Sequence, residues 1–300
     1  MHEDVGLTGL RYLWSQWADA VPLQIIDIGA NPIEGDAPYK ALLDHGFCQV
    51  TGFEPQAEAL AALNARKSPG ETYHPNALGD GGDATLQLFA HSGFTSLFPI
   101  NPDVSRMIGF NRATRSVGTH PIATARLDDL TDVPQADYLK IDVQGSEFNI
   151  ISNGSAKLSQ AVLIQTEIRF LPLYGGEPGF GALDAELRDQ GFQFHDFAFL
   201  KRVALRSASH SRLRPRANRQ VVDGDAFYVR DLTRPEALTP AQLFRLALLA
   251  EAVVGSPNLA LFCLDNLVAR GHLPQSAIEG YYTLLPQGLK REVVDAVDAR

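Results

Sequence analysis

Only two cysteines, Cys48 and Cys263, occur in 300 residues, far apart and in apolar surroundings. So low a count excludes a disulfide framework and a cysteine metal knuckle, and it suits a reducing cytoplasm. No apolar run reaches the ~18 residues that span a bilayer, so no membrane span is expected. The opening MHEDVGLTGLRYLW has acids where a signal peptide has a basic stretch, and it lacks a long apolar core. Positive charge is short as well: 26 Lys and Arg against 35 Asp and Glu leave a net charge of −9, which argues against nucleic-acid binding. What remains is an ordinary soluble composition, 45% hydrophobic and 20% charged.

The first two thirds alternate short branched strands with helical patterns, the arrangement of βαβ units and a mostly parallel sheet. Strands are expected at 23–28 (LQIIDI), 48–53 (CQVTGF), 71–78 (broken at Pro75), 84–91, 137–143 (DYLKIDV), 161–168 (AVLIQTEI), 192–197 and 225–230 (DAFYVR). Helices are expected to close at Gly46, to begin near Pro55, and to cover 146–158 and 180–191, while 92–121 reads as irregular. From about 235 the pattern turns wholly helical, with Thr239 and Pro240 as cap and first-turn residues. Two domains are therefore expected: 1–234 carrying the sheet, and 235–300 as a helical extension that docks a partner or forms a homodimer.

Three motifs carry chemistry. DIGAN, 27–31, places a carboxylate and a close-approach glycine at the carboxyl edge of a parallel strand, where doubly wound folds bind ligands. GFEP, 52–55, ends the next strand on Glu54, the interval at which nucleotide-binding folds place an acid for the ribose hydroxyls. A dinucleotide would need G-x-G-x-x-G for its pyrophosphate, and this turn instead reads GANPIEG. An NAD-dependent enzyme on the same sheet is thus the weaker reading. A sulfonium cofactor has no pyrophosphate, and its ammonium group would suit Asp27. The third motif is LKIDVQGSEF, 139–148, in which a buried strand runs out into Asp142, Gln144 and Glu147.

In order, IIDIGAN, VTGFEPQAEALAALNA, NALGD, TSL, RLDDL, DYLKIDVQGSEFNIISNG and DAFYVR resemble the FkbM family of S-adenosylmethionine-dependent methyltransferases, over residues 23–232. The resemblance implies a class I (Rossmann-like) seven-stranded sheet with an antiparallel last strand, and O-methylation of a hydroxyl on a small molecule, saccharide or glycoconjugate. It places Asp27, Gly29, Ala30 and Asn31 in the cofactor loop, Glu54 and Pro55 at the ribose, and Asn76, Ala77 and Leu78, with Asp80, near the adenine. The family commonly carries a second glycine soon after GAN, whereas here Pro32 and Ile33 come first and Gly35 is late.

In such a fold Asp142 lies over the transferred methyl group, at the cofactor and the acceptor alike. The family more often has Glu at the position of Gln144, so one carboxylate is missing and a divalent metal is not favoured, hard cations preferring several oxygen ligands. QTEIRF, 165–170, ends the neighbouring strand with Glu167 and Arg169. Asp142, assisted by Glu167 and with Gln144 beside it, is the expected catalytic group, and Ser146 the expected helix cap. His74, His91 and His195 read as packed or half-exposed side chains, with His120 better placed to meet substrate. The loop LPLYGGEP, 171–178, either closes over the acceptor or simply connects two elements. The stretch 201–220 holds seven Lys and Arg and no acid. It is a solvated loop or an attractor for an anionic acceptor. A non-catalytic binding module remains the rival from another class, opposed by Asp27, Glu54 and Asp142 all being in place.

Overall fold

The computed structural model describes residues 2–30 and 35–291. Ten strands and nine helices follow along these residues. They are α1 His2–Ser15, β1 Leu23–Ile28, α2 Lys40–Asp44, β2 Cys48–Phe53, α3 Ala57–Arg66, β3 Glu71–His74, β4 Ala77–Leu78, β5 Asp83–Phe89, α4 Pro102–Ile108, β6 Ser116–Ala125, β7 Tyr138–Ile141, α5 Glu147–Ser152, β8 Leu163–Arg169, α6 Phe180–Asp189, β9 Phe192–Val203, β10 Gln220–Arg230, α7 Pro240–Leu249, α8 Pro257–Ala269 and α9 Ser276–Leu284. Contacts divide them into two units, Pro22–Ala237 and a helical unit of Met1–Val21 with Leu238–Arg300. The first 21 residues, read from sequence as part of the sheet-bearing portion, therefore cluster with the C-terminal helices.

The large unit is built on a seven-stranded sheet in the order β3-β2-β1-β7-β8-β10-β9. All pairs are parallel except those of β10, which runs antiparallel to both β8 and β9. This is the class I methyltransferase arrangement, with the antiparallel strand last in the chain. β1 and β7 are buried almost throughout because helices cover both faces of a parallel sheet, so neither strand alternates. Leu139, Ile141, Ile150, Ile164 and Leu187 belong to one core.

Pro75 ends β3, as a residue that cannot donate to the ladder should, and β4 enters a second sheet of order β4-β6-β5. The stretch 92–121, which reads as irregular in the sequence, holds α4 and the first part of β6. β6 forms as an antiparallel partner of β5, with Pro121 opposite Thr85. Exposed along most of its length, β6 has no buried apolar face to announce it in the sequence. A smaller core gathers Phe89, Ile108, Leu173, Tyr174 and Val222 beside the main one.

The helical unit is tied by small residues and one half-buried acid. Gly9 lies against Glu251, and a side chain at Gly280 would collide with the Tyr12 hydroxyl. Trp17 stacks on Phe244 at 4.9 Å, and the Tyr281 hydroxyl donates to Glu251. Thr239 and Gln242 form a reciprocal capping box at the start of α7. Among the described residues no helix is long and apolar enough to cross a membrane.

Candidate active site

The carboxyl ends of β1, β2, β7 and β8 come together at one edge of the sheet. Gly29 leaves β1 with φ +78, and a Cβ there would stand 2.0 Å from the Asp142 carbonyl oxygen. Only glycine allows that crossing, which the Asp142 N–H completes by donating to Ile28 O at 3.0 Å. The cofactor loop and the LKIDVQGSEF loop are therefore packed backbone on backbone.

Asp27 is buried, and its partners come from the chain itself. The Tyr39 hydroxyl donates to Oδ2 at 2.6 Å. Lys140 Nζ stands 3.1 Å from Oδ1 and donates to Gly29 O at 3.2 Å. Burial alone would lower the Lys140 pKa; Asp27 and Asp142 outweigh it and raise it. Lys140 is thus the counter-ion of Asp27 and ties it to the backbone of the Gly29 turn. A lysine inside an apolar strand was the signal for this pairing.

Glu54 ends β2 almost fully buried, 3% exposed. Its Oε1 accepts from the Gln56 N–H at 2.7 Å. Burial raises its pKa, against the backbone and side chain of Gln56 and Lys140, which lower it. A buried carboxylate at the tip of β2 fits a pair of ribose hydroxyls. Pro55 follows it, half-buried, and Ala30 packs near Gly52. Asn76 is half-buried before β4, and Ala77 and Leu78 are buried beside Phe53. Asn31, Pro32 and Ile33 lie outside the described residues.

The tips of β7 and β8 carry the densest charge. Oxygens of Asp142, Glu147 and Glu167 lie within 4.8 Å of one another, with Asp142 exposed and Glu147 buried. Arg169, itself buried, is their counter-ion. It pairs with Glu167, with Glu177 at 3.0 Å and with Asp223 at 3.4 Å, and its guanidinium lies over the Tyr174 ring at 4.9 Å. Gln144 knits the group together. Its Nε2 donates to Asp142 Oδ1 at 2.8 Å, and its Oε1 accepts from Arg169 at 3.3 Å and from the Tyr174 hydroxyl at 3.0 Å. Tyr174 is fully buried and also donates to Phe94 O at 3.0 Å, so the start of the 171–178 loop is a packed wall of the site.

Ser146 makes no side-chain cap, although it stands at the N-cap position of α5. Glu147 instead ties down the loop before the helix: its two oxygens accept from the Val143 and Gly145 N–H groups, each at 2.9 Å. Burial pushes the Glu147 pKa up to about 7, against the lowering influence of Arg169. Burial likewise raises Glu167 well above the usual carboxylate range; Arg169 opposes this, while Asp142, Glu147 and Asp223 add to it. The three carboxylates stand close enough to share one cation, although Glu147 already accepts two backbone N–H groups, Glu167 pairs with Arg169, and one oxygen of Asp142 is held by Gln144. Sequence reasoning passed over Glu177 and Asp223, which come from a loop and from the antiparallel strand; nothing in their local sequence announces either.

A family model described as a methyltransferase FkbM domain matches residues 27–194. The chain belongs to the methyltransferase FkbM family. It is a methyltransferase. No curated protein matches it. Among solved structures it is similar to a precorrin-6y C5,15-methyltransferase from Geobacter metallireducens GS-15, at 13% identity over 75% of this chain and 87% of that one, with a TM-score of 0.35. It is also similar to the magnesium protoporphyrin IX methyltransferase of Synechocystis PCC 6803, at 10% identity over 77% and 80% of the two chains, with a TM-score of 0.32.

The histidines stay outside the carboxylate cluster. His74 stacks on Phe53 at 5.3 Å. His91 caps a short turn by accepting from the Gly93 N–H. His120 is exposed on β6, and burial lowers the pKa of His195.

Proposed function

We infer that this methyltransferase acts on a hydroxyl oxygen, on a small molecule, saccharide or glycoconjugate. The observation that supports the reading is the carboxylate cluster of Asp142 and Glu167 around Arg169, beside the glycine turn of the cofactor loop. A hydroxyl is a weak nucleophile until its proton begins to leave, and a carboxylate at the strand tip is the group to receive it. S-adenosylmethionine supplies an electrophilic methyl group when bound.

Asp142 is the exposed acid of the cluster, and Gln144 holds one of its oxygens. The other faces no hydrogen-bond donor among the described residues and takes the acceptor's proton. Glu167, whose proton affinity is raised by burial, shares that proton and relieves Asp142. Gln144 and Arg169 act by position, fixing the two carboxylates against each other. Glu54 holds the ribose, and Asn76, Ala77 and Leu78 line the adenine side. An anionic acceptor suits Lys201, 40% exposed along its side chain and 3.8 Å from Asp223, which packs over Phe110 at 5.4 Å.

The test is a labelled-methyl transfer screen over hydroxyl, amine and thiol acceptors, run with Asp142→Asn alongside. Transfer to a hydroxyl is expected, with kcat lowered by ~10²–10⁴ in the variant and S-adenosylhomocysteine binding retained by calorimetry. Transfer confined to nitrogen or sulfur, or full turnover in Asp142→Asn, would overturn the reading.

A further inference from the structure

The basic segment takes little part in the site. Two of its seven Lys and Arg, Lys201 and Arg202, lie at the end of the edge strand β9 and five on the connection to β10, and all 35 Asp and Glu lie elsewhere in the chain. Arg202, Arg212, Arg214, Arg216 and Arg219 are exposed, and among the described residues no hydrogen bond or ion pair ties down their guanidinium groups.

The cations are interleaved with bare apolar side chains. Leu213, 65% exposed, stands between Arg212 and Arg214; Leu205 is 49% exposed and Phe199, on the edge strand, 57%. The Arg206 N–H donates to Met107 O at 2.8 Å, which brings Leu205 beside α4, whose Met107 is 40% exposed. Single exposed apolar residues are ordinary. Four of them set among unpaired arginines are not, because each is left in water where a partner could cover it. A soluble polyanion would satisfy the arginines and leave the leucines wet. An anionic lipid surface answers both, with phosphates for the guanidinium groups and the acyl boundary for Leu205 and Leu213. With net charge −9 overall, the rest of the chain is repelled from such a surface, so the segment would also orient the molecule on it.

We propose that residues 199–219 form a docking face for an anionic lipid surface, whichever hydroxyl the enzyme methylates. The full chain is floated with vesicles of phosphatidylcholine alone, or with phosphatidylglycerol added, at low and high salt. It should float only with the anionic vesicles and be released by salt. Combined Arg212→Gln, Arg214→Gln and Arg216→Gln should lower the partition coefficient on the order of a hundredfold. Leu213→Ser, which leaves the charge unchanged, should lower it about tenfold. Both variants keep their melting temperature and S-adenosylhomocysteine binding. Absence of binding, or equal binding to both vesicle types, would overturn the proposal. So would a Leu213→Ser protein that floats undiminished while heparin binds tightly, since that marks a site for soluble polyanions.

Discussion

The side-chain amide of Gln144 donates to Asp142 Oδ1 across 2.8 Å. Gln144 reaches this position from a left-handed backbone, φ 59, the one such non-glycine residue among those described. That conformation costs ~1–2 kcal/mol for a residue with a side chain. The cost is outweighed because Arg169, Tyr174 and Asp142 hold its side chain, while the Ser96 hydroxyl donates to its carbonyl at 2.6 Å. An amide is the right group here. It donates to a carboxylate on one side and accepts from a cation and a phenol on the other.

Gln144→Glu removes the donor and sets two carboxylates face to face. Turnover at neutral pH should fall at least roughly tenfold, the scale of one lost charged hydrogen bond. Magnesium should restore part of it by bridging Asp142 and the new acid. Steady-state kinetics with and without the ion decide this, and a variant as active as the parent without magnesium would contradict the assigned role of the amide.

Stability should fall as pH rises through neutrality. Glu147 is held at about 7 in the folded protein against an ordinary 4.5, so the folded state binds the proton more tightly than the unfolded state. Its contribution is complete below about 4.5 and is lost as pH climbs through about 7, up to about 3 kcal/mol in all. Glu167 shifts in the same direction. Melting temperatures between pH 5 and 8 should decline, and less steeply in Glu147→Gln, which starts lower because one of the Val143 and Gly145 N–H groups loses its acceptor.

Arg169 balances Glu167, Glu177 and Asp223 in a buried setting. Arg169→Ala leaves all three beside one another and should cost ~3–5 kcal/mol, a fall in melting temperature on the order of 10 °C. Arg169→Lys keeps the charge but not the planar fork, and should fall between the two. Calorimetry reads the difference; an unchanged melting temperature for Arg169→Ala would remove Arg169 from the centre of the site.

Glu54→Gln keeps the shape at the tip of β2 and loses the charge. S-adenosylhomocysteine should bind roughly tenfold to a hundredfold more weakly, and NAD should bind neither protein, since the turn after β1 offers no pyrophosphate cradle. Titration calorimetry with both ligands checks the ribose role and separates the two nucleoside chemistries.

Much of this protein was legible along the chain because its sheet is parallel and buried. Strands such as LQIIDI and YLKI announce themselves as short apolar runs, and the acids that end them fall at the sheet edge by geometry alone. Asp142 and Glu167 could be brought together on paper because β7 and β8 are parallel neighbours, with Ile141 opposite Thr166. The sequence by itself determined the buried parallel strands and the acids that end them at one edge of the sheet. Only the tertiary structure decided what those acids meet. Lys140 neutralises Asp27, Glu147 rather than Ser146 closes its own turn, and Arg169 collects Glu177 and Asp223 from distant segments. β6 and the union of α1 with the C-terminal helices were likewise settled in three dimensions. The physical reason is common to all of them: strand patterning records which face is buried, whereas charge compensation and edge pairing depend on neighbours brought close only by folding.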